Sequence, residues 1–398
     1  MTIGERSGFR TTTWLHADDC SIDDLRAIVE VTTDGRDYPH ATDVVGNVVV
    51  YDCDRLRAEI ATRVGRRSVQ DELVVAMAEG PGLVVLTGAF PDLSIVDRVT
   101  DAFVAMIADQ HAAGQAAGDH FAKPGANDRV WNALEKLALR DPEAFVDYYG
   151  NEIIELVSSA WLGPSYQMTS QVNVVNPGGA AQDPHRDYHL GFQSDEIAQQ
   201  FPAHAHRLSA VLTLQGAVAH TDMAVESGPT MYLPHSQKYE LGYLAWRRPD
   251  FAEYFAERHV QLPLTKGDAA FFNPALFHAA GHNRSAGVKR MANLLQVSSA
   301  FGRAMESVDR EAMSNALFPA LLRRARAGAP AGALRNAIAA SAEGYSFPTN
   351  LDRDQPIGGL APETQAELVW RAVTDGWEPA QLRTELRAQA ERHLTNSP

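Results

Sequence analysis

The chain has 398 residues, 45% hydrophobic and 21% charged, a balance ordinary for a soluble globular protein with a large buried core. A net charge of −15 repels polyanions and sets nucleic acid and acidic membrane surfaces aside as expected partners. Cys20 and Cys53 are too few for a disulfide framework or a thiolate zinc site, and MTIGERSGFR lacks a signal-like apolar run, so a cytoplasmic protein is expected.

Helix-period and strand-period segments are segregated along the chain. Residues 45–51 read as a short strand, and 54–64 and 69–79 carry apolar residues at helical spacing before Pro81-Gly82 breaks the pattern. The β-branched run GLVVLTGAF (82–90) reads as a buried strand, and Asp92 as the cap of a long helix reaching 112. The polar stretch GQAAGDHFAKPGANDR reads as a loop long enough to cover a site. Helices are expected at 131–139 and 142–161, interrupted near Tyr149-Gly150.

From Tyr166 short strands take over, at 168–175, 208–218, 230–233, 260–263, 269–272 and 291–300, separated by Gly/Pro turns such as Asn176-Pro177-Gly178-Gly179. Many short strands between such turns predict a sandwich or jelly roll. After Met305 helical patterning returns, to 327, to 342, over 363–374 and over 378–393. The reading is a single α+β domain, with a mostly helical part at 1–165 that includes short strands, a jelly-roll core at 166–305 and a helical C-terminal extension at 306–398.

Two imidazoles and one carboxylate can occupy one face of a ferrous ion and leave positions open for an oxidant and a co-substrate. A chain with 14 histidines meets a His-x-Asp triplet by chance roughly once. This chain has His16-Ala17-Asp18, His185-Arg186-Asp187 and His220-Thr221-Asp222. Context favours His185 and Asp187, which follow a strand and a Gly-rich turn where a ligand pair can sit at the mouth of a barrel. His16 lies in a polar segment and reads as solvated, whereas His220 follows a strand and remains a competitor, as does the absence of any metal. His278 and His282, both beyond the strand at 269–272, are available as a third ligand. Arg290 has the planar fork that holds the distal carboxylate of a dicarboxylate co-substrate bidentately. Lys289 alternates to the opposite face.

Gln182 ahead of the His185 triplet, ESGPTMYLPHSQK, Gly267-Asp268, His278-Ala279-Ala280-Gly281-His282-Asn283 and the trailing Arg290 occur in one order. Over about 166–299 this order resembles the phytanoyl-CoA dioxygenase family, with weaker similarity upstream through GLVVLTGAF. The resemblance implies a double-stranded β-helix with flanking helices, an Fe(II) held by His185, Asp187 and His278, and 2-oxoglutarate and O2 as co-substrates. His278 takes the family's ligand place, and His282 the variable one before Asn283. Gln171, Asn173 and Thr213, on strands that should line the barrel, are candidates to share the co-substrate with Arg290. Two departures stand out: Ala280 replaces a small hydroxyl residue of some relatives, and the common Pro-Gly-Ser-His turn reads Pro234-His235-Ser236-Gln237.

A retained Asp187 argues for hydroxylation of an unactivated C–H bond over halogenation, while desaturation, epoxidation and ring closure stay open. The expected substrate is a small metabolite or natural-product intermediate, and the acidic surface disfavours a CoA ester. His120, Lys123, Asn127, Arg129 and Trp131 from the loop are a mixture suited to bind an acid or to close over the iron, and His189, His204 and His206 are candidates to line the pocket; Lys123, Arg129 and His189 are singled out for the substrate. The helical C-terminus is a candidate interface for a homo-oligomer. The rival readings are a cupin-like metalloenzyme that does not use 2-oxoglutarate and a non-catalytic jelly-roll binding protein.

Overall fold

The computed structural model describes residues 13–114 and 125–395. Ten strands occur among them: β1 (Asp43–Val45), β2 (Val48–Asp52), β3 (Leu83–Thr87), β4 (Asn127–Val130), β5 (Gln167–Val175), β6 (Thr213–Ala219), β7 (Met231–Tyr232), β8 (Ala269–Phe272), β9 (His278–Ala279) and β10 (Arg290–Ser298). Eight of them form one sheet in the order β1-β2-β3-β8-β6-β10-β5-β4. Facing it is a smaller sheet, in which β7 pairs with β9 and single bridges add His185 beside His278 and Val260 beside Tyr232. The architecture is α+β, a double-stranded β-helix with helices outside it.

Register decides which side chains enter the barrel. On β10 the even-numbered residues from Arg290 to Ser298 stand opposite odd-numbered residues of β5 and β6, with Leu294 facing Gln171 and Ala217, and Gln296 facing Thr169 and Gln215. Alternation therefore puts Gln171, Asn173, Gln215, Arg290 and Gln296 on one face. The opposite face is mostly apolar, with Met168, Val172, Leu214, Val218, Phe271 and Leu295 all in one large hydrophobic cluster. Helices Arg63–Ala78 and Leu93–Ala112, those between 133 and 162, and Arg310–Arg326, Ala331–Ser341 and Pro379–His393 contribute to that cluster. The cluster runs from Tyr38 to Leu386, so the C-terminal helices complete the same core.

Local chemistry explains most boundaries. Asp92 caps its helix by accepting from Ser94 N, and Thr364 and Glu367 form a reciprocal capping box at the start of Gln365–Asp375. The strand expected at 45–51 is instead a hairpin, β1 against β2, turning at Gly46-Asn47, both with positive φ.

Three further expectations are corrected. The run at 208–218 is not one strand: helix Ala203–Val211 precedes β6, and Leu208 and Val211, which suggested a buried strand, are exposed on that helix. The segment at 260–263 contributes only the Val260 bridge. The long polar loop contains β4, an edge strand whose Arg129 stands opposite Asn173, and β1 to β4 place the N-terminal part within the main sheet. β3 pairs with β8 and β4 with β5 across long stretches of sequence, which a local hydrophobic pattern does not reveal.

Candidate active site

His185 and His278 face one another across a two-way backbone bridge, His185 N donating to His278 O at 2.9 Å and His278 N to His185 O at 3.2 Å. The chain then turns sharply: Asp187 N donates to Pro274 O, and Tyr188 and His189 adopt φ of 64° and 43°. Two consecutive side-chain-bearing residues in that region store strain, which the surrounding contacts hold beside the ligands.

His185 Nε2 lies 3.8 Å from Asp187 Oδ1, and His278 Nε2 lies 3.3 Å from Asp187 Oδ2. One ligand atom from each residue falls within 4.8 Å of the others, the one such group among the described residues. Both rings are fixed by the nitrogen facing away: Nδ1 of His185 donates to Asp183 O and Nδ1 of His278 to Leu276 O, each at 2.9 Å. The Nε2 lone pairs are thereby left for a cation, the arrangement that second-sphere carbonyls give metal-binding histidines. Burial alone would raise the Asp187 pKa, but when the two rings are protonated the charge of His185, the hydrogen bond and charge of His278, and the Gln215 hydrogen bond hold it well below the usual carboxylate range. Gln215 Nε2 donates to Asp187 Oδ2 at 2.5 Å. The donor set fits a divalent iron, with one face left open.

These groups open onto a cavity of about 390 Å³. Gln171, Asn173, Arg129 and Arg290 line it, as do Gln215, Gln296, Trp131, Trp246, Phe192 and Met305. Arg290 is 5% exposed; one Nη donates to Gly228 O, while Nε is buried without a partner. Burial pushes its pKa down to about 10, aided by the charge of Arg129, so it remains a cation at neutral pH. Gly228 has φ of 73°, and a Cβ there would meet the His282 backbone at 2.5 Å, which explains the glycine of ESGPT.

The other singled-out residues separate. Thr213 faces inward but does not wall the cavity; Gln215, two residues on, does so. His189 lies off the cavity, His204 is exposed, and His206 bonds Ala198 O in the interior. His120 and Lys123 lie outside the described residues. His282 is partly exposed and apart from the ligand group, Lys289 is exposed, and His16 is exposed. Asp268 acts through its turn, accepting from Gly88 N and Thr265 N.

His220 is a core residue: its ring bonds Thr100 Oγ1 at 2.8 Å and Tyr148 OH at 2.9 Å, and burial pushes its pKa down to about 3, with Lys266 adding to the shift. The unfolded chain binds a proton near pH 6.5 that the folded chain refuses, so stability falls as pH drops below about 6.5 towards 3. Urea midpoints followed over that range should show His220→Gln losing up to about 1.4 kcal/mol per pH unit of this dependence.

Arg186, between the two ligands, is a structural anchor that sequence reading did not identify. One Nη donates to Ser236 O at 2.6 Å and Tyr239 O at 2.8 Å, and the guanidinium lies 5.1 Å from the rings of both Tyr243 and Phe277. Ser236 Oγ in turn accepts from Phe277 N, beside His278, so one turn braces both ligand segments. A Cβ on Gly242 would sit 1.9 Å from Arg186 Cζ. Gly242→Ala should therefore cost about 1–3 kcal/mol by overpacking, read as a lower melting temperature together with weaker iron binding. Unchanged iron affinity would separate Arg186 from the metal loop.

A jelly roll with His-x-Asp and a distal His converging at its mouth, and a buried arginine in the same cavity, defines the class of non-haem iron, 2-oxoglutarate-dependent oxygenases. The chain belongs to the Phytanoyl-CoA dioxygenase (PhyH) family, whose profile matches residues 64–292. Among solved structures it is similar to the non-heme alpha ketoglutarate dependent epimerase SnoN from nogalamycin biosynthesis, at 19% identity and TM-score 0.41, over 59% of this chain and 84% of that one. AviO1 from Streptomyces viridochromogenes Tue57 aligns at 18% identity and TM-score 0.39, over 56% and 93%. The carbocyclase SnoK from nogalamycin biosynthesis aligns at 20% identity and TM-score 0.39, over 57% and 83%. No curated protein matches the chain.

Proposed function

We propose that this protein is an Fe(II)- and 2-oxoglutarate-dependent dioxygenase that hydroxylates a C–H bond of a small metabolite or natural-product intermediate, releasing succinate and CO2. The observation that carries the reading is the convergence of His185, Asp187 and His278 on one point of a cavity that also holds the buried Arg290. When bound, iron and 2-oxoglutarate supply the oxidation, coupling decarboxylation of the keto acid to insertion of one oxygen atom from O2 into the substrate. His185 and His278 offer Nε2, Asp187 stays ionised, and Gln215 fixes the carboxylate's orientation. Arg290 takes the distal carboxylate in a site withdrawn from water, where a charge-assisted pair is strongest. Asp187 keeps the third ligand position for carboxylate oxygen, which favours hydroxylation over halogenation. Asn173 lies on the Arg290 side of the cavity and is the better placed of the amides to share the co-substrate.

No helix among the described residues is long and apolar enough to cross a membrane. The reading of a cytoplasmic enzyme is supported by Cys20 and Cys53, both buried and free. Anaerobic titration with iron(II) and 2-oxoglutarate tests the function: a weak visible charge-transfer band should form, and succinate should follow on admitting oxygen. Absence of both would sink the reading. With a turnover substrate, 18O2 should label the product hydroxyl, and an unlabelled product would replace hydroxylation by another oxidation.

A further inference from the structure

The cavity walls carry more hydrogen-bond acceptors than the co-substrate can use. Gln215 and Gln296 stand directly opposite one another on β6 and β10, both facing the cavity. The orientation of Gln215 is set by Asp187: its Nε2 is committed to the carboxylate, leaving Oε1 buried without a partner. Gln296 Oε1 is likewise buried and unpartnered. A buried acceptor without a donor is costly, so a ligand that supplies donors is favoured at this place. Ionised 2-oxoglutarate has carboxylate and ketone oxygens only and cannot donate. Arg290, which fits its distal carboxylate, is six residues before Gln296 on β10, about 20 Å of extended strand. The amide pair therefore belongs to the substrate end.

Two further features narrow the class. Trp131, Trp246 and Phe192 wall the same cavity, and Trp246 stands edge-on to His185 with ring centroids 6.5 Å apart. Flat apolar walls beside carboxamides suit a ring with a C–H face and a hydroxylated rim. The second cavity arginine, Arg129, lies 4.8 Å over the Trp131 ring, which takes up part of its charge.

Resting on the iron and 2-oxoglutarate reading above, we propose that the substrate is an uncharged polyhydroxylated ring, a glycoside or cyclitol, whose hydroxyls donate to Gln215 and Gln296 while its ring packs against the tryptophans. The test uses the anaerobic Fe(II)–2-oxoglutarate complex of the full chain, titrated with methyl β-D-glucopyranoside, myo-inositol and, separately, octanoate. Either polyol should shift the charge-transfer band and speed succinate formation once oxygen is admitted, whereas octanoate should do neither. A band that forms but moves with neither polyol, or moves with octanoate alone, overturns the substrate class and leaves the oxygenase reading standing. No band at all overturns the oxygenase reading itself. In Gln296→Met, verified as folded by its thermal melt, the polyol midpoint should rise about tenfold. An unchanged midpoint removes Gln296 from the site, and the titrations of the unaltered protein stand whether or not the variant folds.

Discussion

His278→Ala is expected to abolish iron-dependent turnover, lowering succinate formation by at least about a thousandfold while the protein still melts cooperatively. The argument is geometric. Asp187 sits between the two histidines, and the bridge pairing His185 with His278 brings their rings to a 4.5 Å centroid separation. Removing one imidazole leaves a bidentate His-Asp pair, insufficient to hold ferrous iron against its hydration. The backbone bridge survives, because its hydrogen bonds are made by main-chain atoms that alanine retains. Iron binding measured by titration should collapse in parallel with turnover. If His278→Ala kept its iron while His282→Ala lost it, the ligand assignment would be wrong.

Arg290→Ala should separate binding of the co-substrate from binding of the metal. We expect KM for 2-oxoglutarate to rise about a hundredfold, the loss of one charge-assisted pair worth roughly 2–3 kcal/mol, with iron affinity little changed. Arg290 lies on β10, a strand that carries none of the three ligands, and its Nη donates to Gly228 O. Arg290→Lys should recover only part of the loss, because an ammonium cannot reproduce the planar fork. Turnover left intact in Arg290→Ala, with or without added 2-oxoglutarate, would favour a cupin-like enzyme that dispenses with 2-oxoglutarate. The combination matters: metal variants and Arg290 variants fail in different measurements, so each assignment stands alone.

Much of this site is legible in the sequence. His185-Arg186-Asp187 could be preferred to its look-alikes by its place after a strand and a glycine-rich turn. His220, the strongest competitor, proves to be held between Thr100 and Tyr148. Alternation separated Arg290 from Lys289, and the structure buries the first and exposes the second. Thr213 shows the limit of that logic. Its inward direction follows from strand period, but its depth along the barrel depends on which residue of β10 it opposes, and Gln215 occupies the level of the cavity.

By itself, then, the sequence determined the identity of the groups that carry charge and lone pairs, the Asp92 helix cap, and the inward or outward direction of residues such as Arg290 and Lys289, because these depend on residue type and short-range backbone period. Only the tertiary structure decided which residues meet. The pairing of β4 with β5, the Arg186 anchor under the ligand loop, the edge-on Trp246 and the facing amides of Gln215 and Gln296 all join segments distant along the chain. Such contacts arise from burial shared across the whole core and from long-range strand register, and neither leaves a periodic mark in the local sequence.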